Sequence, residues 1–151
     1  MMKVMNIIHD SIVDGEGLRT VVFFAGCPHH CKGCHNPSSW NRENGRDMTI
    51  NEIYEDIMSN PLTNVTFSGG EPFMQADELL LLAKRLKQSN KNIWVYSGFT
   101  YEELLDHPNP NCQNLLMLCD VLVDGRFELD KHAPNLLFRG SANQRIIHLQ
   151  F

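Results

Sequence analysis

The amino-acid sequence predicts an α/β fold, with a mostly parallel sheet of four to five strands arranged as a compact, partial (open) β/α barrel. Short β-branched runs alternate along the chain with amphipathic helical windows, which is the pattern of successive βα units. The chain has 151 residues, whereas a closed eight-stranded barrel typically needs about 250. We therefore expect residues 1–151 to form a single domain with an incomplete barrel.

Five short runs of apolar and β-branched residues are the predicted strands. They span residues 20–24, 65–67, 92–96, 121–125 and 145–149. Four distinctive loops begin where the first four strands end, and they read AGCPHHCKGCHN, SGGEP, YSGF and VDGRF. Ligands bind at the carboxyl ends of the strands in parallel sheets, so we expect these four loops to share one rim and one site.

Capping boxes and helical spacing mark the predicted helices. In TINE and TYEE, Thr49 and Thr100 are N-cap candidates, each with a glutamate three residues later. The first of these helices repeats apolar residues at i, i+3, i+4, i+7 and i+8, and a helix at residues 77–88 has a leucine-rich face. Pro108 and Pro110 are expected to break the chain before the fourth strand.

Composition excludes several classes of protein. The net charge is −5 and there is no run rich in lysine and arginine, so we expect no nucleic-acid partner. The longest purely apolar run, residues 79–83, is too short to cross a bilayer. The first residues lack a sustained apolar segment and a cleavage site, so we expect no signal peptide, no membrane association and a cytoplasmic location.

Three of the five cysteines, Cys27, Cys31 and Cys34, lie within eight residues. An odd cysteine count with this crowding favours metal binding over disulfides in a reducing compartment. Zinc is one alternative, with a fourth ligand from one of three histidines, His29, His30 or His35. Structural zinc sites usually draw ligand pairs from two chain segments, however, and there is no second Cys-x-x-Cys.

An iron–sulfur cluster is the other reading of this loop, because cysteine thiolates hold the irons of such clusters. A [4Fe–4S] cubane has four irons, so three thiolates leave one iron without a protein ligand. The motif Cys27-x3-Cys31-x2-Cys34 resembles the signature of radical S-adenosylmethionine (SAM) enzymes. This resemblance implies a radical SAM type of partial barrel, metal ligands at Cys27, Cys31 and Cys34, and SAM chelating the fourth iron.

The same resemblance implies where SAM would be bound. Ser68-Gly69-Gly70-Glu71-Pro72 is similar to the GGE motif of that family, in which backbone carbonyls bind the SAM ammonium group. It implies that Gly69 and Gly70 contact SAM through their main chain, with Glu71 as a nearby polar contact. Three further positions are expected near the adenine, namely Gly33, Cys34 and His35. Ser97 is the candidate for a carboxylate or ribose contact.

Longer blocks narrow the resemblance to activases of glycyl radical enzymes. The blocks VDGEGLRTVVFFAGCPHHCKGCHNPSSW, NIWVYSGF, VLVDGRF and LLFRGSANQRIIHL, in this order, resemble the family that activates anaerobic ribonucleoside-triphosphate reductase. Glu16, where relatives often have proline, and Glu71, where some have aspartate, are departures from the pattern. The implied partners are the large subunit of that reductase and a flavodoxin or ferredoxin as electron donor.

The implied reaction is reductive cleavage of SAM at the cluster. The resulting 5′-deoxyadenosyl radical would abstract a hydrogen from a glycine of the reductase, and no catalytic residue is expected beyond the cluster and bound SAM. Two alternatives remain open. One is activation of another glycyl radical enzyme such as pyruvate formate-lyase, and the other is a non-enzymatic zinc or iron–sulfur adaptor.

Overall fold

A seven-stranded mixed sheet is the centre of the computed structural model, which describes residues 1–34, 36–133 and 135–149. The described strands, in chain order, are β1 (Met2–Ser11), β2 (Arg19–Phe24), β3 (Arg46–Met48), β4 (Asn64–Gly69), β5 (Ile93–Tyr96), β6 (Val121–Asp124) and β7 (Arg145–His148). Their order across the sheet is β3-β1-β2-β4-β5-β6-β7. The four central strands, β2, β4, β5 and β6, are parallel to one another. The outer strands β1, β3 and β7 pair antiparallel.

The expected fold class was therefore wrong in strand number and in sheet type. A mostly parallel partial barrel of four to five strands is replaced by a mixed α/β sheet of seven described strands. Two additional strands, β1 and β3, cover the outer edge of β2, and β7 caps the opposite edge at β6. The strands β1 and β2 can pair antiparallel because residues 12–18 connect them as a loop, and such a connection needs no crossover helix.

Four described helices connect these strands. They are α1 (Ile50–Met58), α2 (Ala76–Gln88), α3 (Tyr101–Leu105) and α4 (Pro110–Leu116). The predicted capping boxes at Thr49 and Thr100 are both present. The expectation of a chain break at Pro110 was wrong, because Pro110 occupies the first turn of α4 and Asn109 caps it. Proline suits this position since the first helical N–H has no intrahelical acceptor. No helix among the described residues has the length and apolarity to cross a membrane.

The two faces of the sheet are packed differently. One face carries the main core, where α1, α2 and α4 cover β-strand side chains such as Val22, Phe67 and Val95. The other face has a smaller apolar cluster of Trp94, Val121 and Val123. The main core holds the central strands on one face of the sheet. The loops that follow these strands project from their carboxyl ends.

Leu82→Ala tests the packing of α2 against the sheet. Leu82 is fully buried, so its truncation should lower the free energy of unfolding by about 2–5 kcal/mol. Leu81→Ala is the matched control, because Leu81 is the preceding residue of the same helix and is 49% exposed. Urea unfolding of both variants should show a large loss only for Leu82→Ala. Equal losses would contradict the described helix orientation.

Candidate functional site

A cavity lies at the carboxyl ends of the four parallel strands. The loops after β2, β4, β5 and β6 all contribute to it, and its lining includes all three clustered cysteines. The lining residues are Cys27, His29, Cys31, Cys34, Ser39, Ser68, Gly69, Gly70, Tyr96, Ser97, Gly98, Val123, Gly125, Phe127 and Gln144. Its empty volume is about 590 Å³, part of it open to solvent. The prediction that four loops share one rim is confirmed.

Two backbone hydrogen bonds fasten the start of the cysteine loop to the residues that follow its end. The N–H of Gly26 donates to the carbonyl of Ser39 at 2.6 Å, and that of Cys27 donates to the carbonyl of Trp40 at 3.2 Å. The N–H of Asn36 donates to the Sγ atom of Cys34 at 3.5 Å. All three clustered cysteines are half-buried and unpaired by disulfides. The predicted adenine neighbour His35 lies outside the described residues.

Gly69 and Gly70 allow the loop after β4 to lie directly against the cysteine loop. Gly69 has a φ of +107°, and a Cβ there would be 2.2 Å from the backbone nitrogen of Phe24. A Cβ on Gly70 would be 2.4 Å from the carbonyl oxygen of Gly26. The N–H of Glu71 donates to that same carbonyl at 2.8 Å. These two glycines are therefore required by contact with the protein's own backbone, in addition to any ligand.

The Glu71 carboxylate is fully buried beneath the cavity and does not line it. It accepts hydrogen bonds from His29 Nε2 at 2.7 Å and from the N–H of Gly98 at 2.8 Å. Ser97 Oγ lies 2.9 Å from both carboxylate oxygens, and the N–H of Phe73 donates at 3.2 Å. Four donors thus compensate a charge that would be costly to bury alone.

Ser97 and Gly33 are placed differently with respect to the cavity. Ser97 is a lining residue, but its hydroxyl is engaged with Glu71 and also accepts the N–H of Phe99. Gly33 is exposed and is absent from the described lining. Its φ is +78°, and a Cβ there would be 2.8 Å from the side chain of Leu129. Gly33 therefore serves the turn between Cys31 and Cys34.

The tail RGSANQR closes the far side of the cavity. Gln144 lines the cavity, and its amide donates to the carbonyl of Gly125 while its Oε1 accepts from the N–H of Gly140. Arg145 pairs with the buried Asp124 and with Glu102. The internal hydrogen bonds of this segment show that most of it fastens β7 to the loop after β6.

The donor set of the cavity suits iron. Thiolates are the ligands that iron–sulfur clusters take, and the cavity has three of them. Burial raises the pKa of the Cys27 thiol, which favours its protonated form. Because cysteine binds metals as a thiolate, metal binding would release this proton. The remaining cysteines lie elsewhere, in the core, and burial raises the pKa of the Cys112 thiol to about 11. Cys112 and Cys119 are therefore packing residues.

A single metal ion and a cluster require different arrangements of their ligand side chains. Within residues 1–34, 36–133 and 135–149, no three His, Cys, Asp or Glu side chains are grouped closely enough to bind a single metal ion. A zinc ion needs its ligands at one point. A cubane makes a different demand, because each thiolate binds its own iron and the sulfurs surround the cluster. Three thiols around one cavity fit the second requirement.

Comparison with known proteins gives consistent relatives over nearly the whole chain. Residues 13–147 match the family described as a 4Fe-4S single cluster domain. The anaerobic ribonucleoside-triphosphate reductase-activating protein of Haemophilus influenzae is 34% identical over 152 residues, covering 91% of each chain. Its namesake from Escherichia coli K12 is 35% identical over 150 residues, covering 92% of this chain and 94% of the relative. The namesake from Vibrio cholerae is 38% identical over 146 residues, covering 91% of each chain.

Gly70→Ala tests the contact between the two loops. The added methyl group would meet the Gly26 carbonyl, so the free energy of unfolding should fall by roughly 3 kcal/mol, at the upper end of overpacking penalties. Gly17→Ala is the control, because nothing lies within 4 Å of a Cβ there and only its positive φ opposes the change. Urea unfolding checks both variants. A Gly70→Ala protein as stable as the parent would refute the contact.

Proposed function

Because this chain belongs to the family of anaerobic ribonucleoside-triphosphate reductase-activating proteins and to that of the 4Fe-4S single cluster domain, we propose that it activates such a reductase by radical SAM chemistry. The family expected from the sequence blocks is thereby confirmed. The observation that carries the mechanism is the placement of three cysteines and the Gly69-Gly70 loop around one cavity. The radical SAM mechanism of this chain and its contacts to the cluster and SAM are our proposal.

We assign Cys27, Cys31 and Cys34 as the three ligands of a [4Fe–4S] cluster, with the fourth iron open to SAM. A cluster held there would supply the electron for reductive cleavage of SAM to methionine and a 5′-deoxyadenosyl radical, and that radical would take a hydrogen atom from a glycine of the reductase. The N–H of Asn36, directed at Cys34 Sγ, stabilises negative charge on that sulfur. The half-buried position of the cysteines keeps part of the site accessible.

The protein's own contribution toward SAM is a rigid backbone surface. Gly69 and Gly70 line the cavity without side chains, so their main-chain atoms are the groups a bound SAM would meet. We assign the ammonium contact to this pair and a carboxylate or ribose contact to Ser97. The adenine neighbourhood is assigned to Cys34 and His35, with Gly33 contributing through the turn that precedes them. Glu71 is assigned an indirect role, because its carboxylate is engaged by internal donors.

The partners follow from the same proposal. The target is a glycine of the reductase large subunit, which would cover the open part of the cavity and exclude water from it. The electron donor is a reduced flavodoxin or ferredoxin. We place this system in the cytoplasm, where thiols stay reduced and available for cluster assembly.

Replacing each cluster cysteine tests the cofactor assignment. Cys27→Ser, Cys31→Ser and Cys34→Ser should each bind less iron after anaerobic reconstitution and make no detectable 5′-deoxyadenosine with SAM and dithionite, because a hydroxyl is a poor substitute for a thiolate. Cys119→Ala is the control, since this thiol lies in the core away from the cavity. Iron and acid-labile sulfide per chain are measured beside product. A serine variant that keeps both would refute the ligand set.

The identity of the target is tested by electron paramagnetic resonance (EPR). Mixing the reconstituted protein, SAM and reductant with the anaerobic ribonucleoside-triphosphate reductase from the same organism should produce a glycyl radical signal. Pyruvate formate-lyase from that organism should give none. A signal only in pyruvate formate-lyase would select the other activase function, and a chain that forms no cluster would favour an adaptor role.

A further inference from the structure

The His29 side chain connects the cysteine loop to the loops after β4 and β5. His29 lies between Cys27 and Cys31 in the sequence, and its Nε2 donates to Glu71 Oε1 at 2.7 Å. The two side chains are only 5% and 0% exposed, respectively. In low-dielectric surroundings a charge-assisted hydrogen bond of this kind is stronger than a surface one.

Few other hydrogen bonds hold this part of the chain, although the His30 ring also stacks on that of Trp40, with centroids 4.6 Å apart. Among the described residues, the hydrogen bond from His29 is the only one that joins residues 28–34 to the loops after β4 and β5. The backbone bonds of Gly26 and Cys27 fix the start of the loop, while Cys31 and Cys34 lie beyond them. The His29 bond is therefore the hydrogen bond through which the segment carrying Cys31 and Cys34 is tied to the loop that follows Gly69 and Gly70.

Gly98 is shaped to accept the imidazole. A Cβ on Gly98 would lie 2.2 Å from Cδ2 and 2.6 Å from Nε2 of His29. The φ of Gly98 is outside the left-handed region, so its backbone would otherwise tolerate alanine. Phe99 closes the other side, with its ring 4.6 Å from that of His29 in an edge contact. The ring thus occupies a fitted position in which the donor points at Glu71.

We propose that His29 is a positioning residue that sets the separation between the cysteine thiolates and the SAM-binding backbone, through its bond to Glu71. This inference rests on the proposed function. SAM must reach an open iron and the Gly69-Gly70 backbone at once, so a loop free to shift would bind it less well. The bond itself is made by two side chains of the polypeptide.

Two substitutions of His29 separate hydrogen bonding from packing. His29→Ala removes the donor, whereas His29→Gln keeps an N–H donor on a side chain of comparable reach. His107→Ala is the matched control, because His107 contacts the same Phe99 ring, at 5.4 Å, and is not a donor to Glu71. In the reconstituted protein, His29→Ala should weaken SAM binding about tenfold, the scale of one charge-assisted bond. His29→Gln and His107→Ala should stay close to the parent.

Two further readouts do not depend on turnover. The EPR spectrum of the reduced cluster should respond less to SAM in His29→Ala than in His29→Gln. In the full-length apoprotein, trypsin should cut after the exposed Lys32 faster in His29→Ala, because local opening of the loop exposes that bond. Unchanged SAM affinity and unchanged cleavage in His29→Ala would overturn the proposal.

A double-mutant cycle with Gly98 makes the test specific. Gly98→Ala should displace the imidazole and weaken SAM binding on a scale similar to His29→Ala. Once His29 is alanine, the same Gly98→Ala change should cost less than about twofold, because contacting residues are not additive. Equal costs in both backgrounds would show that Gly98 acts by another route and would remove this support. A parent protein that binds no cluster or SAM would instead refute the proposed function, while the trypsin assay would still report on His29.

Discussion

Backbone contact between the cysteine loop and the loop after β4 is the constraint on which the site depends. β2 and β4 are parallel and in register up to the pair Phe24 and Gly69. Beyond that pair the two chains stay in contact, because the N–H groups of Gly70 and Glu71 donate to the carbonyls of Phe24 and Gly26. No side chain fits between them. The sheet register thus determines which backbone atoms lie beside the first cysteine, so the site is an extension of the strand pairing.

The buried Glu71 carboxylate holds the other loops of the site in place through its hydrogen bonds. A carboxylate without partners would be expensive in the interior, so Glu71 is stable only when its donors are in place. Those donors come from the cysteine loop (His29), from the loop after β5 (Ser97 and Gly98) and from its own loop (Phe73). Each loop is therefore held in the position that satisfies the others. Buried ionic groups often contribute more to a specific arrangement than to stability, and a site that must present three thiols at fixed places needs such specificity.

Much of this arrangement could be predicted from the sequence. Four central strands and two capped helices follow from β-branched runs and from Thr–Glu pairs, which are local signals. The strands β1 and β3 could not be predicted, because β1 mixes apolar with polar residues and β3 has three residues that pair only with β1. Helix α4 was missed because Pro110 serves as a helix start and was expected to be a break. In the site, cysteine spacing identified the metal ligands as candidates. The pairing of His29 with Glu71 joins residues 42 positions apart, and no local pattern encodes it.

Under the proposed function, the hydrogen-bonded lining of the cavity and its solvent-accessible part have different roles. The lining is held by internal hydrogen bonds, such as those from Gln144 to Gly125 and from Gly98 to the Glu71 carboxylate buried beneath. The three cysteines, by contrast, are only half-buried. A radical intermediate requires water to be excluded, and this chain alone leaves its rim uncovered. A macromolecular substrate resolves the conflict, because the surface that brings the target glycine also supplies the missing cover. Under the proposed function, the accessibility of the three thiols follows from the need to admit that substrate.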